Sequence, residues 1–325
     1  MEVLLRTHGH QPSVSDNLEL WANVRDTVYD SDGKVIVLLG ASRMQLGINT
    51  NVLRKRFPDY TIAQLAVNGR RPMRALEDLA NDKKFKGIVV CSVMTMSLPQ
   101  DRWEGQEKQV KYYHQRTNIS NKINQQIITY TQNHFVIANP NIKLTNMIKE
   151  AVKDFSMIKP SYVQGQPDRS SRANFSHRTD EQLLQYVPGF LRSKKQSNHP
   201  LQTDPKQWLE DVQIVETLVQ KIQLRGGQVV FVRMPTSGEL WDYEEQSIPK
   251  SLFWDRFAEK SSAETIHFKE IETLKNFTCP DRSHLDYRDT PQFTNALFDE
   301  IARRKVFSTT SFIQTANKMK PSIIQ

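Results

Sequence analysis

The chain has 325 residues, a net charge of +8 and 38% hydrophobic residues. No stretch reaches the roughly 18 apolar residues that a membrane span needs, and the first residues are too polar for a signal peptide. The positive charge could suit an anionic polymer or a membrane surface, or simply solubility. Because Lys and Arg are scattered and no nucleic-acid-binding motif occurs, we expect no nucleic-acid partner.

The first strong element is an unbroken apolar run, Val35 to Leu39, that ends at Gly40. Such a run predicts a strand buried on both faces, as in a parallel sheet. Ser42 follows on the turn into a predicted helix. The carboxyl ends of parallel strands are where α/β proteins place their chemistry, and nearby backbone N–H groups can bind an anion there. Ser42 is therefore a candidate nucleophile.

Strands and helices alternate along the rest of the core, which predicts a three-layer α/β fold with a doubly wound parallel sheet. The predicted strands are Val35–Leu39, Tyr60–Leu65, Gly87–Val93, Gln228–Val232 and Ile266–Ile271. The predicted helices are Leu18–Val28 (capped by Asp16 or Asn17), Thr50–Phe57, Met73–Ala80, Trp208–Leu224 and Pro291–Arg304.

A large polar insertion interrupts this core. We expect an N-terminal segment with a helix at 1–33 and a core in two parts, 34–97 and 206–305. Between these two parts lies an insertion or cap at 98–205, and a tail follows at 306–325. The insertion carries predicted helices at Ile119–Thr131, Ile142–Phe155 and Glu181–Val187. A loop is predicted at Pro160–Ser176. Insertions at strand ends usually build the binding surface, although a cap without a ligand role is the alternative.

A candidate base for Ser42 lies near the C-terminus, in the segment Pro280-Asp281-Arg282-Ser283-His284. A histidine can accept the serine proton, and a carboxylate can fix the histidine tautomer and stabilise its positive charge. A surface loop with a chance Asp and His is the alternative for this segment taken alone.

The two segments together resemble a known family. Gly40-Ala41-Ser42-Arg43 after the first strand, with Asp281-x-x-His284 before the last helix, is similar to the SGNH (GDSL-like) hydrolase superfamily. The resemblance implies a flavodoxin-like core, Ser42 as nucleophile, His284 and Asp281 as its partners, and no cofactor. The histidines show no metal-ligand spacing, so we expect no metal. Cys91 and Cys279 are expected to be buried free thiols.

The resemblance also suggests an oxyanion hole. The block Gln64 to Gly69 implies that the backbone N–H of Gly69 donates to the oxyanion beside that of Ser42, and a glycine allows the close approach that this needs. The third block of the family usually carries an asparagine after the third strand. Here Cys91 to Ser97 has none, so either Thr95 or Ser97 donates a hydroxyl or the site works with the two backbone donors alone.

Two further residues are candidates for binding the substrate, namely Arg233, after the fourth core strand, and Asn68. Arg233 could bind a carboxylate or a polymer charge, or it could form a structural ion pair.

The predicted activity is that of a serine-dependent ester hydrolase or O-acyltransferase. The resemblance to divergent acyltransferases of bacterial envelope polymers implies a small-molecule or glycan ester as substrate and an envelope or periplasmic location. Any membrane association would come from a segment outside this chain. A non-catalytic binding module is the alternative. A short-chain dehydrogenase is disfavoured because Met44 and Leu46 replace the glycines that a cofactor loop needs.

Overall fold

A single sheet of five parallel strands forms the centre of the protein, in the order β2-β1-β3-β6-β7. A computed structural model describes residues 1–31, 33–116, 119–140, 142, 160–176, 178–184 and 204–307. The sheet strands are β1 Val35–Leu39, β2 Thr61–Gln64, β3 Ile88–Ser92, β6 Gln228–Arg233 and β7 Glu264–His267. A separate antiparallel pair consists of β4 Val163–Gly165 and β5 Ser171–Ala173.

Helices cover the sheet and extend the fold around it. The α-helices are α1 Glu2–Thr7, α2 Leu18–Asp26, α3 Ser42–Gly47, α4 Thr50–Arg56, α5 Met73–Asn81, α6 Glu107–Gln115, α7 Ile119–His134, α8 Asp180–Leu184, α9 Pro205–Asp211, α10 Gln213–Gln223, α11 Gly238–Ser247, α12 Trp254–Lys260 and α13 Thr290–Arg303. Short 3-10 turns occupy Thr27–Tyr29, Thr95–Ser97, Gln100–Gln106, Val136–Ala138 and Phe268–Glu270.

The central strand β1 shows why the fold has three layers. All five of its residues have no exposed surface. Val35, Val37 and Leu39 pack into one apolar cluster with residues of α2, α5 and α10. Ile36 and Leu38 point to the opposite face and pack into a second cluster with residues of α4 and α13. Because alternate side chains of a strand face opposite sides, an all-apolar strand needs cover on both, and the predicted three-layer α/β fold is confirmed.

Several element boundaries differ from the predictions. The predicted helix Trp208–Leu224 is two helices, α9 and α10, which meet at Val212. The predicted strand Ile266–Ile271 is wrong at its end, because the chain turns into a 3-10 helix at Phe268. Helices α11 and α12 were not predicted. The Ile142–Phe155 patch after its first residue, the second half of Glu181–Val187 and most of the tail lie outside the described residues.

The stretch predicted as a loop, Pro160–Ser176, contains the β4-β5 hairpin. Ala173 and Phe175 from this hairpin pack against Leu46 of α3. The backbone N–H of Tyr287 donates to Ala173 O at 2.8 Å, and that of Phe175 donates to Asp286 at 3.0 Å. The hairpin thus contacts both the helix that begins at Ser42 and the chain that follows His284.

Neither a membrane span nor a metal centre is found in the part of the chain that the structure describes. Among the described helices, none is both long and apolar enough to cross a bilayer. Within the same ranges, no group of three or more His, Cys, Asp or Glu side chains is arranged to hold a metal ion.

One buried histidine gives the fold a pH dependence. His267 ends β7 with 2% of its surface exposed, and its Nδ1 accepts the backbone N–H of Lys269 at 3.1 Å. Burial, helped by the positive charges of Arg233, Lys250 and Lys269, lowers the pKa of His267 to about 2. An unfolded histidine binds a proton below a pKa of about 6.5, so stability falls as the pH drops below that value.

We therefore expect His267→Asn to weaken the acid sensitivity of the protein. The asparagine carbonyl can still accept the Lys269 N–H, but it binds no proton in the unfolded chain. At 1.36 kcal/mol per pH unit, the wild type should lose about 2–3 kcal/mol more than the variant between neutral pH and about pH 4.5. Denaturant unfolding at the two pH values measures the difference. Parallel losses in both proteins would contradict the assignment.

Candidate active site

Ser42 sits where β1 ends, and the bend before it depends on a glycine. A Cβ on Gly40 would lie 2.6 Å from the Cβ of Met44 and 3.0 Å from that of Ser92, so a larger residue would force the turn open. The Gly40 carbonyl accepts the N–H of Val67 at 3.1 Å and the side-chain amide of Gln106 at 2.9 Å. These bonds fix the backbone two residues before Ser42.

Three side chains from the two ends of the core meet above the sheet. The Ser42 Oγ and the His284 Nε2 are 2.7 Å apart, and the His284 Nδ1 lies 2.7 Å from the Asp281 Oδ2. Since the Asp281 carboxylate accepts from Nδ1–H, Nε2 is left as the acceptor for the Ser42 hydroxyl. The structure therefore brings together all three residues that the sequence singled out as a nucleophile and its base.

Asp281 is held as a buried carboxylate. It is 1% exposed, and its Oδ1 accepts the backbone N–H groups of Ser283 at 3.0 Å and His284 at 2.7 Å. Burial alone would raise the pKa of Asp281, but the hydrogen bonds and charge of His284 and the two backbone donors hold the pKa below its usual range. Asp281 thus remains ionised at neutral pH and fixes the orientation of the imidazole.

The loop that carries Asp281 and His284 is fastened to the chain after β6. The Cys279 N–H donates to Ser237 Oγ at 2.9 Å, and the Ser237 N–H donates to Arg282 O at 3.0 Å. Arg282 adopts a left-handed backbone with a φ of 72°. Burial raises the pKa of the Cys279 thiol to about 12, so the thiol stays protonated at neutral pH and is no rival nucleophile.

Gly69 lies in an exposed turn that follows β2. The Arg70 N–H donates to Val67 O at 3.0 Å, and Gly69 between them has a φ of 68°, a conformation that favours glycine. Asn68 beside it is also exposed. Within the described ranges, the backbone N–H groups of Ser42 and Gly69 donate no hydrogen bond, so both are free to meet a ligand. Their role as oxyanion donors stays a prediction.

The hydroxyl groups that follow β3 are less favourable donors. Ser97 is 4% exposed, and its Oγ donates to the Met94 carbonyl at 2.6 Å, which commits it within its own 3-10 turn. Thr95 is half-buried and lines a cavity of about 40 Å³ together with Arg233 and Trp241. The segment Cys91 to Ser97 contains no asparagine, so it offers no side-chain amide as an oxyanion donor.

Arg233 forms the ion pair that was the alternative to substrate binding. It is 6% exposed, and its guanidinium is paired with Glu244 of α11. Glu244 also accepts from Arg43 at 3.0 Å and from the Thr236 hydroxyl at 2.9 Å. Burial would raise the pKa of Glu244, but the charges of the two arginines hold it below its usual range. The structural ion pair left open for Arg233 is thus present, and its role in substrate binding stays a prediction.

Arg43 links this ion pair to the loop that carries Asp281 and His284. Its Nε donates to Ser283 Oγ at 3.2 Å while its Nη2 donates to Glu244. Sequence reasoning missed Glu244 and also Gln106, whose amide supports Gly40. Neither has a sequence signal, because α11 was not predicted and Gln106 lies in a 3-10 turn within the polar insertion.

No protein-family model and no curated protein matches the chain. Several solved structures are similar to it, and two of them serve as examples. The crystal structure of TesA is 11% identical, with 83% of this chain and 98% of that chain covered and a TM-score of 0.36. The psychrotrophic esterase EstA from Pseudoalteromonas sp., inhibited by monoethylphosphonate, is 10% identical, with 84% and 98% covered and a TM-score of 0.36.

Glu244→Gln should destabilise the protein strongly. It removes the carboxylate that two buried guanidinium groups share, and leaving such charges uncompensated costs about 3–5 kcal/mol. Adding Arg233→Met should recover part of the loss, because the repulsion between Arg43 and Arg233 then disappears. Denaturant unfolding measures both effects.

Glu245→Gln, on the next residue of α11, is the control. Its two carboxylate oxygens share the Lys250 N–H at a long 3.3 Å each, so the loss should stay below about 1 kcal/mol. A Glu244→Gln loss as small as that of the control would show that the ion pair does not stabilise the fold.

Proposed function

We propose that the protein is a serine-dependent ester hydrolase or O-acyltransferase of the SGNH type that works through an acyl-Ser42 intermediate. The observation that carries the proposal is the continuous hydrogen-bonded chain from the Ser42 hydroxyl through His284 to the buried carboxylate of Asp281. A nucleophile, a base and a group that orients the base are the three parts that covalent acyl transfer needs.

In the proposed reaction, Ser42 Oγ attacks the ester carbonyl carbon while His284 Nε2 takes the serine proton. The resulting oxyanion is stabilised by the backbone N–H groups of Ser42 and Gly69. The intermediate then collapses, the bond to the alcohol oxygen breaks, and His284 returns the proton to that leaving oxygen. Water or a second alcohol, deprotonated by His284, attacks the acyl-serine and releases the acid or the new ester.

An accessible site supports a bulky acylated substrate. The His284 side chain keeps 18% of its surface exposed, and Asn68 and Gly69 are exposed in the turn that follows β2. A long acyl chain would favour a closed apolar pocket, whereas an ester on the surface of a polymer can reach an open one. This favours a carbohydrate-like carrier of small acyl groups, in line with the resemblance to envelope-polymer acyltransferases.

A non-catalytic binding module is the second candidate. The observation that favours it is the missing amide after β3, since the Ser97 hydroxyl is bonded to Met94 and does not replace that donor. Loss of one oxyanion donor typically costs about 10²–10³ in rate, which weakens an esterase without abolishing it. The enzyme therefore stays the preferred reading.

A fluorophosphonate probe, which phosphonylates activated serines, tests the proposal directly. We expect wild-type protein to be labelled at Ser42, located by peptide mass spectrometry. Ser42→Ala and His284→Ala should each remove nearly all labelling and turnover of aryl acetates. The double variant should be hardly worse than either, because the residues act as a unit. Asp281→Ala should lose less.

Ser176→Ala, at an exposed serine outside the triad, is the matched control and should keep wild-type labelling. Acetylated oligosaccharides, supplied with and without an acceptor alcohol, separate transfer from hydrolysis. Equal and slow turnover by wild type and Ser42→Ala, with unchanged oligosaccharide binding in both, would sink the enzyme and favour the binding module.

A further inference from the structure

Arg169 occupies a backbone conformation that an arginine rarely adopts. The turn between β4 and β5 runs through Gln166, Pro167 and Asp168, and the N–H of Arg169 closes it by donating to Gln166 O at 3.0 Å. Arg169 itself has a φ of 66°. This is the left-handed position of a hairpin loop, where glycine or asparagine is usual and where a larger side chain is unfavourable. Such a cost persists only where side-chain contacts outweigh it.

The Arg169 side chain makes those contacts in the interior. It is 1% exposed, and it pairs with Asp16 through Nε at 2.7 Å and Nη2 at 2.9 Å. Its Nη1 donates to Gln64 O at 2.5 Å, and its Nη2 also donates to Ala66 O at 3.0 Å. One guanidinium from the insertion thus binds both the N-terminal segment and the last carbonyls of the β2 exit.

The β2 exit leads directly to Gly69. Between the two Arg169 bonds, the Leu65 carbonyl accepts from the Trp21 indole N–H at 3.0 Å. The Val67 N–H then donates to Gly40 O at 3.1 Å, two residues before Ser42. Because Val67 O also accepts from the Arg70 N–H, every carbonyl from Gln64 to Val67 is bonded, and the turn that carries Gly69 starts from a fixed strand end.

The same cluster also holds the helix that begins at Ser42. Gln45 lies three residues after the nucleophile and is 3% exposed. Its amide donates to Asp16 Oδ2 at 2.8 Å and to the backbone carbonyl of Arg169 at 3.1 Å. Asp16 and Arg169 thus form one buried cluster that touches both α3 and the β2 exit.

We propose that Arg169 is a positioning residue that sets the spacing between Ser42 and the Gly69 turn. It touches no substrate atom; its effect passes through the Gln64 and Ala66 carbonyls and through Gln45. The inference rests on the proposed function, because a fixed spacing of the two backbone N–H groups matters only if an oxyanion forms between them. A displacement of about 1 Å in such a site can cost about 10²-fold in rate.

Arg169→Gly provides a sharp test because it relieves the left-handed backbone while it removes the guanidinium. We expect kcat for aryl acetates to fall about 10- to 100-fold with KM little changed, and the rate of fluorophosphonate labelling to fall in parallel. Free guanidinium at millimolar, sub-denaturing concentration should restore much of the rate, whereas sodium chloride at equal ionic strength should not. Arg169→Lys should show an intermediate loss.

Arg25→Ala is the matched control for the loss of a buried arginine. Arg25 is also 1% exposed and pairs with Asp78 and Asp82, between α2 and α5. It should lower the melting temperature at least as much as Arg169→Gly, yet leave kcat close to wild type. Equal kcat losses in the two variants, or guanidinium that restores stability without rate, would reduce Arg169 to a structural role and overturn the inference.

Amide hydrogen exchange separates this inference from the proposed function. If Arg169 holds the turn, Arg169→Gly should speed exchange in the segment 65–70 more than in β3, and Arg25→Ala should not. Unlabelled wild-type protein would refute the proposed function, while the exchange result would still decide whether Arg169 holds the turn. Normal labelling and unchanged exchange in Arg169→Gly would refute the inference alone.

Discussion

The site depends on one constraint, which is that all five strands of the sheet run in the same direction. A parallel sheet places the carboxyl end of every strand at one edge. In the order β2-β1-β3-β6-β7, β2 lies on one side of β1 and all later strands lie on the other side. The chain after β1 packs on one face of the sheet and the chain after β3 on the other, and such a switch point opens a crevice between the two strand ends. Ser42 follows β1 and therefore stands in that crevice, with the Gly69 turn after β2 on one side.

Asp281 and His284 reach this edge from the other end of the core, and His284 lies 242 residues after Ser42 in the chain. They do so because β6 ends at the same edge and its exit loop provides the dock. Ser237 accepts from Cys279 and donates to the Arg282 carbonyl, so two hydrogen bonds join the β6 exit to the His284 loop. Glu244, which is paired with Arg233, then joins the β6 exit to Arg43, the residue after Ser42.

The sequence contained enough to predict the layers and the three side chains that meet at the candidate site. Apolar runs and glycines define β1 and its turn, and Ser42, Asp281 and His284 belong to short motifs whose spacing is local. The supporting residues could not be found in this way. Arg169 reaches the β2 exit only because a hairpin within the polar insertion folds back onto the core, and a pattern of local propensities does not encode such a long-range contact. Glu244 was missed for a second reason, which is that its helix, α11, was not predicted.

The locations of strain and buried charge bear on the choice between enzyme and binding module. Asp281 is a carboxylate with 1% exposure, and both Arg282 and Arg169 adopt left-handed backbones. Each of these is unfavourable by itself, and each lies on a loop that faces or supports Ser42. A module that only binds a ligand on its open face has no need for a fixed imidazole tautomer or for a rigid spacing between two backbone donors. Unfavourable local features concentrate where function requires a set geometry, so these features support the proposed acyl transfer over the binding module.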